Sequence, residues 1–137
     1  MKIFTLPLLL LIALLKANAQ TNTPHTATDT GLKTFLKVEI ESEFPGGPSA
    51  WLQYLNSHLV YPKKAVRKRI EGTVLLQFIV DKEGKISDLQ ALSGDPILQE
   101  AALKAMEDSP RWTPAIQDGK KVKSYKKQPI VFKLVAQ

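Results

Sequence analysis

The stretch that decides the fold is Tyr61–Leu92, YPKKAVRKRIEGTVLLQFIVDKEGKISDLQAL. It reads as a short basic helix, a glycine break, a long strand, a tight turn and a second strand. Thr73–Val80 is the most apolar run outside the N-terminus. Val74, Leu76, Phe78 and Val80 share one face at period two, and Thr73, Leu75, Gln77 and Ile79 share the other. Asp81-Lys82-Glu83-Gly84 turns the chain, with Gly84 free to take a positive φ. The same tetrad is no calcium loop, because Lys85 and Ile86 stand where an oxygen ligand and a glycine are needed. At the front of the stretch, Pro62 opens the helix Lys63–Arg69. Ala65, Val66 and Ile70 can pack inward. Lys63, Lys64, Arg67, Lys68 and Arg69 read as a solvated face, with an anionic-partner or membrane-surface patch as the alternative.

Working outward, Ser49–Leu59 carries Trp51, Leu52, Leu55 and Leu59 as one apolar stripe, which predicts a helix flanked by Tyr54 and ending near His58. Before it, Phe44-Pro45-Gly46-Gly47-Pro48 forbids regular structure, and Pro48 suits the first helical turn. Thr34–Glu43 alternates weakly and predicts an additional strand. Downstream, Asp95 and Pro96 are an N-cap and a first helical residue for a helix reaching about Asp108. Its buried side comprises Leu98, Ala101, Ala102, Ala105 and Met106. Arg111–Gly119 reads as a loop in which Trp112 plugs the core, ligand stacking being the alternative. Lys121–Val135 reads as the last strand. Pro129 cannot donate to a ladder, so this strand belongs at a sheet edge.

The chain has 137 residues and no cysteine, which sets one domain as the prior and removes disulfides, thiolate metal sites and cysteine nucleophiles. Lys2, the apolar run Ile3–Leu15 and the small-x-small Ala17-Asn18-Ala19 form a secretory signal over residues 1–19, with cleavage before Gln20. An uncleaved anchor is the alternative, but the run falls short of the ~20 apolar residues a span needs. Residues 20–33 are a polar, disordered leader, and residues 34–137 the folded domain. Losing Lys2 and Lys16 lowers the formal charge from +6 to +4, too modest an excess to argue for nucleic acid. His25 and His58 stand alone and take no role. With no metal-spaced histidines, no nucleophile–base pattern and no phosphate loop, the residues argue against an enzyme and imply no cofactor and no metal.

Six marks then stand in order: FPGG at Phe44–Gly47, YPKKA at Tyr61–Ala65, EGTVLLQFIVDKEGKISD at Glu71–Asp88, GDPILQEAAL at Gly94–Leu103, RWTPAIQDGKKV at Arg111–Val122 and QPIVFKL at Gln128–Leu134. Together they resemble the TonB C-terminal domain family, in the form with an FPGG entry common in Bacteroidetes-type bacteria, over roughly Val38–Leu134. The resemblance implies an α+β fold, two helices on a three-stranded antiparallel sheet with the additional N-terminal strand. It implies a periplasmic domain that grips an extended segment, the TonB box, of an outer-membrane TonB-dependent transporter by strand addition, linked to energy-dependent transport such as that of siderophores. Carried over, the contacts are Val60, Tyr61, Pro62, Tyr125, Ile130, Val131, Phe132 and Lys133. Family members that transduce energy have a transmembrane anchor and a long Pro-rich spacer. Here a signal peptide and a leader of at most ~50 Å stand in their place, so no direct contact with the inner-membrane motor is expected. The alternative is a self-associating envelope protein, a homodimer through the same sheet edge.

Overall fold

In the computed structural model, which describes residues 33–135, the strand read from the central stretch is the middle of the sheet. The signal peptide and its cleavage site, His25 and the leader up to residue 32 lie outside the described residues. β1 (Gly72–Val80) pairs antiparallel with β2 (Ile86–Ser93) on one side and β5 (Ser124–Phe132) on the other. Val74, Leu76, Phe78 and Val80 are all fully buried. They meet Leu98, Ala102 and Met106 of α3 (Pro96–Met106), along with Ile130 and Phe132 of β5, in one core. Asp95 caps α3 as its residue type requires, its Oδ1 accepting from the Ile97 N–H at 2.9 Å.

The β1–β2 turn is held by Asp81. Its Oδ1 accepts from the Glu83 and Lys85 N–H groups at 2.9 and 2.8 Å. Gly84 has the expected positive φ of 83°, and a second constraint that the sequence does not display. The Gly84 carbonyl accepts from the Trp112 N–H at 2.9 Å. A Cβ on Gly84 would lie 2.0 Å from the Trp112 carbonyl oxygen. The turn is therefore clamped to the loop beneath which Trp112, 3% exposed, plugs the core. Trp112 meets Phe78 edge-on at 5.0 Å, and with Phe44, Trp51 and Tyr54 it forms an aromatic cluster.

Several expectations are corrected. α1 (Gly47–His58) buries Trp51 and Tyr54, while Leu52 is 61% exposed. The aromatic cluster draws Tyr54 inward, and its hydroxyl donates to the Ala105 carbonyl of α3 at 2.6 Å. α2 is Lys63–Arg67, the short basic helix read at Lys63–Arg69 but two residues shorter, and within it only Ala65 is buried, not Val66. Thr34–Glu43 is no strand. It docks by isolated bridges, Phe35 to Ser124, Ile40 to Ile116 and Glu43 to Thr113, because it crosses from one sheet to another and finds no continuous partner. The loop after Trp112 contains β3 (Ala115–Gln117), which pairs with β4 (Lys120–Val122) in a small second sheet. The final strand is thus broken at Lys123. The turn residues Asp118 and Gly119 have φ of 51° and 72°, both positive as a two-residue hairpin requires.

Candidate functional site

β5 lies at the edge of the sheet, as Pro129 demanded, in an unbroken nine-pair register with β1 from Gly72↔Phe132 to Val80↔Ser124. In an antiparallel ladder, alternate residues point both main-chain groups toward the partner and the others point both away. The Tyr125 N–H donates to the Phe35 carbonyl at 2.9 Å, on the side away from β1. Tyr125, Lys127, Pro129 and Val131 therefore turn their main-chain groups outward. Pro129 falls in the outward set, so its missing N–H costs the β1 ladder nothing.

The outward edge divides into two parts. Its start is occupied, since Phe35 donates to the Lys123 carbonyl and accepts from Tyr125, both at 2.9 Å. This is a parallel bridge from the N-terminal segment. Among the described residues, none pairs with the edge from Lys127 to Val131. One of its acceptors is shielded within the strand, where the Gln128 Nε2 donates to the Pro129 carbonyl at 3.3 Å. The opposite edge, β2, is less regular. Its pairing with β1 shifts register twice, and Asp88 has a φ of 51°, irregularities that blunt an edge against pairing.

The eight residues carried over by resemblance do not share one surface. Val131, 64% exposed, Tyr125 and Lys133 belong to the outward side of β5. Ile130 and Phe132 are buried in the core and paired with Val74 and Gly72, so they hold the edge from behind and offer no side chain to a partner. Tyr61 packs its ring edge-on to Phe132 at 5.6 Å, and its hydroxyl donates to the Ile70 carbonyl. Burial, aided by Glu71, raises its phenol pKa above the ordinary value. Tyr61 and Lys133 line a groove with Val66, Arg69, Leu134 and Val135 at the end of β5. Val60 and Pro62 open instead on a groove between α1, α2 and α3, beside Ile97 and Lys104. Lys127 was not among the eight. The signal that finds it is the parity of Pro129, which tells which residues of β5 face outward.

Residues 57–134 match the model of the Gram-negative bacterial TonB protein C-terminal family. The chain belongs to that family. No curated protein matches the chain. Among solved structures it is similar to a Helicobacter pylori TonB C-terminal domain, at 27% identity and a TM-score of 0.49, covering 68% of this chain and 89% of that one. It is also similar to the Pseudomonas aeruginosa TonB C-terminal domain, at 30% identity and a TM-score of 0.45, covering 57% and 80% respectively. The family is one of transport-linked interaction domains, and the mixed helix and antiparallel-sheet architecture of this TonB C-terminal domain agrees with it. No helix of the described residues is long and apolar enough to cross a membrane.

Proposed function

We propose that this TonB C-terminal domain is a periplasmic binding module that takes an extended peptide segment of an outer-membrane TonB-dependent transporter onto the open edge of β5. Residues 1–19 act as the secretory signal that delivers it, and its work belongs to energy-dependent transport across the outer membrane. One observation carries the reading. Lys127, Pro129 and Val131 present outward main-chain groups on a regular, otherwise fully paired strand. Such a row is a template for strand addition, in which main-chain hydrogen bonds supply affinity and alternate side chains supply selectivity. The Tyr61 groove abuts the end of that row and can receive what continues beyond Val131.

The test is a titration of the signal-free protein with synthetic N-terminal plug peptides of TonB-dependent transporters, followed by amide chemical shifts. The Lys127 and Val131 amides should shift and become protected from exchange. If no such peptide perturbs them at about millimolar concentration, the proposal is wrong.

A further inference from the structure

The edge strand and the hairpin before it carry a one-sided charge. From Lys120 to Lys133 the chain has Lys120, Lys121, Lys123, Lys126, Lys127 and Lys133 and no acid. The acid at the far end of this run is Glu71, which lines a groove with Lys133 and whose Oε1 accepts from the Leu134 N–H at 2.7 Å. On β5, Lys127 shares the parity of Tyr125, Pro129 and Val131, so a strand laid along this edge would run beside it on one sheet face, with Lys133 just past the strand's end. Lys126 has the opposite parity and would flank it on the other.

The protein's own chain already holds an acidic segment beside this hairpin by main-chain bonds. The segment Val38-Glu39-Ile40-Glu41-Ser42-Glu43 bends at Glu39 and is acidic at every second residue. It docks by main-chain bonds, with the Ile40 N–H donating to the Ile116 carbonyl at 3.1 Å and the Glu43 N–H to the Thr113 carbonyl at 3.0 Å. Gln117 lies between the two charges: it pairs with Lys120 across the β3–β4 hairpin, and its Nε2 donates to Glu39 Oε1 at 3.1 Å. The acidic segment thus lies by backbone pairing against β3, the strand of the hairpin without lysines, and the lysines of β4 stand one strand further on. It does not extend along the β5 edge beyond the Phe35 bridge, where no other described residue pairs.

We infer that the open edge Lys127–Val131 selects an extended partner segment with acidic side chains at alternate positions, held by the lysines and abutting the Phe35 bridge. This rests on the strand-addition reading and adds to it the chemistry of the partner. A neutral segment could make the same main-chain bonds, so the charge sets the choice among segments. A second copy of this chain is a poor occupant, because it would bring two lysine-rich strands together, and like charges opposed across a ladder destabilise it.

Three synthetic nonapeptides test this, with the same Val/Thr positions and with Glu, Gln or Lys at the alternate ones. Each is titrated into the signal-free protein at low and raised salt, and amide shifts of Lys127 and Val131 are followed. The Glu peptide should bind best and the Lys peptide worst. Salt should erase most of the difference, since exposed charges are screened. The double variant Lys127→Gln/Lys133→Gln should weaken the Glu peptide by about two- to fivefold per lysine, more than it weakens the Gln peptide. Equal edge binding by all three peptides overturns the charge selection and leaves strand addition standing. Shifts confined to the basic helix α2 also overturn it, as does a peptide-resistant dimer with a protected Lys127 amide. If the edge stays silent with all three while transporter plug peptides perturb it, only this inference fails. Silence with both sets overturns this inference and the strand-addition reading together.

Discussion

Gly84 serves two constraints at once, and only one of them is conformational. Its φ of 83° would admit a strained alanine, but the missing Cβ is also the space taken by the Trp112 carbonyl, 2.0 Å from where that carbon would sit. Gly84→Ala should therefore cost ~2–4 kcal/mol, the left-handed penalty plus an overpacked contact, as read by chemical denaturation. Tyr54 carries a different residue-scale consequence. Burial first, and Asp108 second, hold its phenol pKa above the ordinary 10.0. The folded state therefore keeps this proton after the unfolded chain has released it. The stabilisation is complete below about pH 10 and is lost as the pH rises from there through the raised folded value. Tyr54→Phe should lower stability near neutrality by about 1–2 kcal/mol, because the buried Ala105 carbonyl loses its donor. The same variant should show a shallower alkaline loss of stability than the wild type, measured by thermal melts across pH 8–11.

At the scale of the element, β5 does two jobs on alternate residues. Even-numbered residues bond to β1, with Ile130 and Phe132 filling the core, whereas odd-numbered ones present the edge. Proline substitution separates the two roles, since it deletes one N–H. Lys127→Pro removes an outward donor and should leave the domain folded, at a cost of about 1 kcal/mol from the altered φ, while abolishing peptide protection at the edge. Ile130→Pro removes a β1 ladder bond from a buried position and should cost ~3 kcal/mol or more. Equal losses in paired denaturation curves would mean that the assigned polarity of the strand is wrong. The periodicity of β5 was legible in the sequence, and Pro129 alone placed it at an edge. The break at Lys123 was not legible as a break, because Lys121–Val135 alternates straight through it. Asp118-Gly119 was the available signal, a two-residue turn that implied a short partner strand on each side.

Across the whole molecule, the N-terminal segment ties the two sheets together. Phe35 holds β5, and Ile40 and Glu43 hold the chain around β3. This segment sets where the open edge begins. A protein beginning at Val38 would lack the Phe35 bridge, so the Tyr125 N–H should turn from protected to fast exchange, a change that hydrogen exchange with mass or NMR detection reads directly. The cost should be small, about 1 kcal/mol for two exposed main-chain bonds, and the open edge should lengthen by one residue pair. If the Tyr125 amide stayed protected, another element would be covering the edge.

The sequence by itself determined the elements whose signals are local. The β1–β2 hairpin follows from period-two burial and a glycine turn, the start of α3 from Asp95-Pro96, the edge position of β5 from Pro129, and the family from six ordered marks. Tertiary structure decided what depends on residues far apart in the chain. Tyr54 rather than Leu52 faces inward because Phe44, Trp51 and Trp112 gather on that side of α1. Thr34–Glu43 fails as a strand because a ladder needs a continuous partner and two separate sheets offer only isolated bridges. The predicted contacts divide between edge, core and two grooves because neighbours along a strand face opposite ways. The occupied start of the edge belongs to this class as well. Nothing in the residues around Phe35 announces a bond to Lys123 and Tyr125, since that bond exists only once the fold has brought the two segments together.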